Sequence, residues 1–295
     1  MPCRVGYNPP MRKAIAILGF VSLLATAAFG QVADGDQHWA QRAEGQKGGH
    51  AAAQHADAAL AAYQRAVQQD PNNLEAQWKL LRSYRFKGAY TTSNNEERKK
   101  IYGEAKKAGE GSMAVLDKQL AAKGLKSVTK ATEKQVADVA RQIPGAGEVF
   151  LWDAINWGEW ALAYGKMAAV REGAADRIKR EATIAMLVDP KLEGGSPARV
   201  LGRLHDQTPR VPFITGWASG KEAVRLLNES LKVDPMNKIT RVFLAEAMVN
   251  NDGNTKPQAK QMLKDVVNSP NDPNYEVEQS AAQEDARALL KKWGA

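Results

Sequence analysis

The chain of 295 residues holds one cysteine, Cys3, so no intrachain disulfide can form and a cysteine-based zinc site is excluded. Histidine is scarce as well. His38, His50, His55 and His205 show no ligand spacing such as H-E-x-x-H. The His205-Asp206 pair has no G-x-S-x-G elbow to supply a nucleophile. The chain therefore reads as a non-enzyme, with no metal and no cofactor called for. Apolar residues at 44% and charged residues at 25% are ordinary for a soluble globular chain. That balance excludes a collagen-like chain, an acidic disordered tail and a polytopic membrane protein.

The net charge of +8 comes from 41 Lys and Arg against 33 Asp and Glu. Three of the basic residues, Arg4, Arg12 and Lys13, precede residue 31, where no acid occurs, so the remainder carries +5. The other basic residues alternate with acids along helical stretches. The surface reads as mildly basic and solvated, and nucleic acid is not an expected partner.

A targeting segment comes first. Met11-Arg12-Lys13 forms a short basic region, Ala14 to Phe29 an apolar run, and Ala28-Phe29-Gly30 a small-x-small cleavage site. Residues 1–30 thus read as a secretory signal peptide, with the ten residues before Met11 as an upstream mis-start. The apolar run is short for a spanning helix, which needs about 20 residues. Cys3 lies before that run, so no lipobox follows it. The expectation is a cleaved, unlipidated protein, periplasmic or secreted. The mature chain would have no cysteine, which suits an oxidising compartment.

Beyond residue 31, helical periodicity dominates. Helices are expected over 51–69, over 74–87 closed by Gly88, and over 96–123 as one or two pieces broken near Gly109 and Gly111. Thr132 caps a helix to Ile143, ahead of a Pro144-Gly145-Ala146-Gly147 break. A strongly aromatic helix spans 148–170, and Gly173 turns into 174–188. Ser196 and Pro197 open a helix to His205. Helices over 219–233, 239–250, 256–267 and 276–293 complete a set of roughly ten to twelve, with no sheet.

Within this set one pattern recurs. Ala59, Tyr63, Ala66 and Pro71 share their spacing with Ile178, Ala182, Ala185 and Pro190, and with Ala223, Leu227, Ser230 and Pro235. Each proline follows an aspartate. This resembles the second helix of a tetratricopeptide (TPR) repeat: small residues allow close helix approach, and proline ends the helix. The uneven spacing implies insertions, including the stretch 210–220. Residues 31–295 are therefore expected to form a single all-α domain, a TPR-like antiparallel helical repeat (α-solenoid) with irregular insertions.

Two stretches are more specific. One is Phe150-Leu151-Trp152-Asp153-Ala154-Ile155-Asn156-Trp157-Gly158-Glu159-Trp160. The other runs from Gly194 to His205 and is followed by Thr208-Pro209 and Lys221-Glu222-Ala223. With Asp234-Pro235 and Phe243-Leu244-Ala245-Glu246, they are similar to the periplasmic T component of tripartite ATP-independent (TRAP) transporters, from about Thr132 to about Asn250. The resemblance implies a TPR-like protein with an internal ligand pore, assembled as a homotrimer and docked to a solute-binding partner protein. Members of that family include lipoproteins, from which this chain departs by lacking a lipobox.

The aromatic helix sets Phe150, Asp153, Trp157, Trp160, Tyr164 and Met167 on one stripe, flanked by Asn156 and Glu159. The stripe reads either as a pore wall for a small apolar or amphipathic solute or as a core stripe. In both cases buried Asp153 needs a cationic partner, and Arg199 or Arg203 is expected to supply it. Arg199 and Arg203 share a helix face. They either clamp a carboxylate ligand or pair with acids on a neighbouring helix. Phe213 and Trp217 either cap the pore or pin their loop. The expected function is a periplasmic binding module for a small solute and a solute-binding protein. The alternative is a TPR scaffold holding other envelope proteins.

Overall fold

The computed structural model describes residues 30–212 and 214–294, so the targeting segment 1–29 and the pore candidate Phe213 lie outside the described residues. Among the described residues the protein is all-helical, 76% helix without a strand. The one ladder-type contact there is an isolated bridge between Lys47 and His50. The helices are α1 (30–40), α2 (Ala53–Gln69), α3 (Leu74–Tyr90), α4 (Asn95–Ala122), α5 (Glu133–Ala140), α6 (Ala146–Tyr164) and α7 (Lys166–Arg171). They continue as α8 (Ala174–Val188), α9 (Leu192–Gln207), α10 (Gly220–Val233), α11 (Lys238–Asn251), α12 (Lys256–Asn268) and α13 (Glu276–Lys292).

Side-chain caps explain where several of these helices start. Asn73, Asn94, Ser219 and Asn237 each accept a hydrogen bond from a first-turn backbone N–H. Thr132 and Gln135 form a reciprocal capping box at α5. Each such cap contributes about 1 kcal/mol. Regular helical geometry in α9 begins only after Gly195, because Glu193, Gly194 and Gly195 all have positive φ. Gly195 has no alternative there: a Cβ would come within 2.9 Å of the Ser230 carbonyl in α10.

Helix α5 ends at Ala140, short of Ile143, α6 starts within the expected break, at Ala146, and three further points concern glycines. Helix α3 does not stop at Gly88 but continues to Tyr90. Gly88 serves a close approach, since a Cβ would sit 2.5 Å from the Tyr102 ring of α4. Helix α4 is unbroken through Gly109 and Gly111. The aromatic helix does break, at Gly165, whose φ of +90° separates α6 from α7. That split, together with α1, raises the number of helices above the expected ten to twelve.

The recurring Asp-Pro signature builds the same turn three times. Helices α2, α8 and α10 end at Asp70, Asp189 and Asp234, whose N–H groups donate to the carbonyls of Ala66, Ala185 and Ser230. Each aspartate side chain then accepts from the backbone N–H two residues on, at 3.1 Å for Asn72, 2.8 Å for Lys191 and 3.2 Å for Met236. Asp252 closes α11 in the same way without a proline, accepting from Asn254 at 3.0 Å. All nine apolar or small residues of the three repeats are buried.

Packing follows chain order over long stretches: α2 on α3, α3 on α4, and α8 through α13 each on the next. Helix α6 is the hub, touching α3, α4, α8 and α9. The C-terminal α13 returns to α3, and its Ala281 lies so close to Gly49 that a Cβ there would fall 2.5 Å from the Ala281 Cα. This return places α13 opposite α3, α4 and α6 and leaves space between them.

Candidate functional site

That space is a cavity of about 340 Å³. Its walls carry Arg85 of α3, Tyr102 of α4, Glu159 of α6, Phe243 of α11 and Glu278 of α13, with His50, Arg98, Glu284 and Asp285 also in the lining. Arg85 donates to the Tyr90 hydroxyl at 2.6 Å and stands 3.3 Å from Glu159. Burial works against its charge, yet Tyr90 and Glu159 together hold the guanidinium above its ordinary range. Arg42 holds one oxygen of Glu278, donating to Oε1 at 3.1 Å. Glu284 accepts from the Gly49 N–H at 2.8 Å.

Two polar atoms in this region lack a partner. Glu278 Oε2 and the Tyr102 hydroxyl are both buried and bonded to nothing in the protein. Burial, reinforced by the charge of Glu159, pushes the Tyr102 phenol well up, so it stays protonated. Asp285 is also pushed up, by burial first and then by the charges of Glu284 and Glu246 against the opposing Arg203. Buried polar groups are normally paired in folded proteins.

The seven described pore candidates fall elsewhere and none lines the cavity; Glu159, which the sequence set beside the aromatic stripe, does line it. Trp157 and Trp160 pack in the core, 3% and 6% exposed, with ring centroids 5.5 Å apart. Lys106 and Arg177 lie over the Trp157 ring. The stripe does not stay inside: Tyr164 is partly exposed and Met167 largely so. Asn156 is fully buried and donates to the carbonyls of Leu81 and Trp152.

Asp153 is fully buried, and its partner is Arg177 of α8 at 2.7 Å, not Arg199 or Arg203. Arg177 also reaches Glu181 at 2.9 Å. Both carboxyls are pushed up by burial, Glu181 more so because Asp153 adds like charge beside it. The two buried carboxyls thus share one guanidinium. The expected pairing failed because the register of α8 against α6, which no local pattern encodes, puts Arg177 first.

Arg203 meets acids on its own and a neighbouring helix: Glu246 of α11 at 2.5 Å and Asp206 at 3.3 Å. Arg199 bonds the Thr240 hydroxyl at 3.2 Å, and burial together with the nearby Arg85 pushes it down to about 10. Trp217 pins its loop, donating to Asp176 at 3.1 Å and meeting His205 edge to face.

The cavity residues gave little local signal. Arg85 is one of four basic residues in α3, with Lys79, Arg82 and Lys87, and Glu278 and Asp285 are seven residues apart on one face of α13. Alone, each reads as an ordinary surface charge. Leu162 near the end of α6 and Met167 and Val170 in α7 are exposed apolar side chains. Among the described residues, no cluster of three or more His, Cys, Asp or Glu is arranged to hold a metal ion. No described helix is long and apolar enough to cross a membrane. In comparisons with known proteins, the chain matches no protein-family model and no curated protein.

Proposed function

We propose that the protein is a TPR-like binding module of the cell envelope, exported by the 1–30 segment, that holds a small solute in the α3–α4–α6–α11–α13 cavity. The observation carrying this reading is the pair of buried, unpartnered groups in a formed cavity, Glu278 Oε2 and the Tyr102 hydroxyl. The thrice-built aspartate turn and the chain-order packing support the repeat architecture. On the resemblance to TRAP transporter T components, the module forms a homotrimer and docks to a solute-binding protein. The exposed apolar side chains Leu162, Met167 and Val170 suit such a contact.

One part of the expected chemistry changes. An aromatic pore at Trp157 and Trp160 gives way to a site lined by charged and phenolic groups, which suits a polar solute better than an apolar one. The second reading, a scaffold without a small ligand, draws on the close packing around those two tryptophans. Native mass spectrometry of protein purified from its own cell envelope separates the two. The solute-binding reading expects a retained small molecule that is lost on denaturation. A ligand-free protein that also binds no added solute would leave the scaffold. The same spectrum reports trimer or monomer, and the intact mass reports whether the chain begins at Gln31.

A further inference from the structure

Resting on the solute-binding reading, we propose that the cavity takes a small solute bearing an ammonium group, seated against Glu278 and Tyr102. Of the two groups without a partner, Glu278 Oε2 can only accept, and the phenol oxygen accepts as well. Tyr102 is 2% exposed, so water does not freely satisfy its hydroxyl. Glu278 Oε2 lacks a donor, while the Tyr102 hydroxyl is free both to accept and to donate. An ammonium offers three donors and a positive charge.

The surrounding charge points the same way. Glu284 and Asp285 follow Glu278 along α13 and join it in the cavity lining. Arg85 is already engaged by Tyr90 and Glu159, and Arg42 by Glu278 Oε1. Arg98 spends its Nε on the Thr92 carbonyl. A dicarboxylate would bring negative charge beside Glu159, Glu278, Glu284 and Asp285. An apolar solute would seal Glu278 Oε2 and the Tyr102 hydroxyl away from any donor. A cationic headgroup donates to Glu278 Oε2 and to the phenol oxygen of Tyr102, and the Tyr102 ring adds a favourable surface for it.

The test is calorimetric titration and thermal shift on the intact mature protein with three probes: putrescine, succinate and 1-hexanol. Putrescine is expected to bind and raise the melting temperature, with succinate and hexanol at least about tenfold weaker. Tyr102→Phe removes a hydroxyl with no protein partner, so the unliganded variant should melt as the parent does while binding putrescine about tenfold more weakly. Asp285→Asn should also weaken putrescine binding. Preferred binding of succinate or hexanol, sensitive to the same variants, would overturn the ammonium assignment and leave solute binding intact. Putrescine binding unmoved by either variant would overturn the assignment too, because the diamine would be sitting elsewhere. Binding of none of the three, with no solute retained from the cell, would sink both readings.

Discussion

Asp153 Oδ1 occupies the space that Gly109 leaves open: a Cβ on Gly109 would stand 1.8 Å from that oxygen. The glycine lies in the middle of α4, where glycine weakens a helix by roughly 0.5–1 kcal/mol relative to alanine. Two residues on, Gly111 has nothing within 4 Å of its own Cβ position. The two glycines should therefore respond oppositely. Gly111→Ala should stabilise by about 0.5–1 kcal/mol. Gly109→Ala should destabilise by about 1–3 kcal/mol, because the intrinsic gain is outweighed by displacement of a buried carboxylate from Arg177. Urea denaturation of both variants measures the contrast, and equal shifts would contradict the close approach.

Glu181 and Asp153 should make stability depend on pH. Both carboxyls are pushed up in the folded protein by burial, and Glu181 lies well above its ordinary value of 4.5. The folded state then holds the proton more tightly than the unfolded chain does. Its contribution is present below the ordinary carboxyl range and is lost as pH rises through the raised folded value. Glu181→Gln stays neutral and keeps an oxygen for Arg177. Denaturation from about pH 5 to pH 8 should show a shallower decline for the variant. At the alkaline end the variant should be the more stable of the two. Parallel curves would show that no proton is held there.

Trp157→Ala and Trp160→Ala should behave as core truncations. Both rings are buried and meet one another, not the cavity. Each substitution should cost about 3–5 kcal/mol by leaving a void. Whatever solute the cavity takes should bind the folded fraction with unchanged affinity. A loss of affinity without loss of stability would return these residues to the binding site.

Arg85→Met should uncouple the cavity wall. It leaves Glu159 and the Tyr90 hydroxyl without their donor, at a cost of about 1–3 kcal/mol. Adding Glu159→Gln should recover part of that loss, since the uncompensated charge goes with it. A double-mutant cycle read by thermal melting gives the coupling, and strict additivity would mean the pair contributes nothing jointly.

The sequence by itself determined the helices and their turns. Apolar spacing along the chain, asparagine, serine and threonine caps, and the Asp-Pro pairs act within a few residues, so a local reading finds them. Asp70, Asp189 and Asp234 close their helices as the pattern indicated. The glycines were less transparent. Gly88 and Gly109 read as helix breaks, yet their purpose is to admit Tyr102 and Asp153 from other helices. The site was decided by tertiary structure alone. Arg85 and Glu278 are far apart in sequence, and only the return of α13 onto α3 brings them around one cavity. Arg177, not Arg199, meets Asp153 for the same reason. Periodicity fixes which face of a helix is buried, but the register and crossing of one helix on another are set by side chains distant in the chain. Those contacts choose which charges meet.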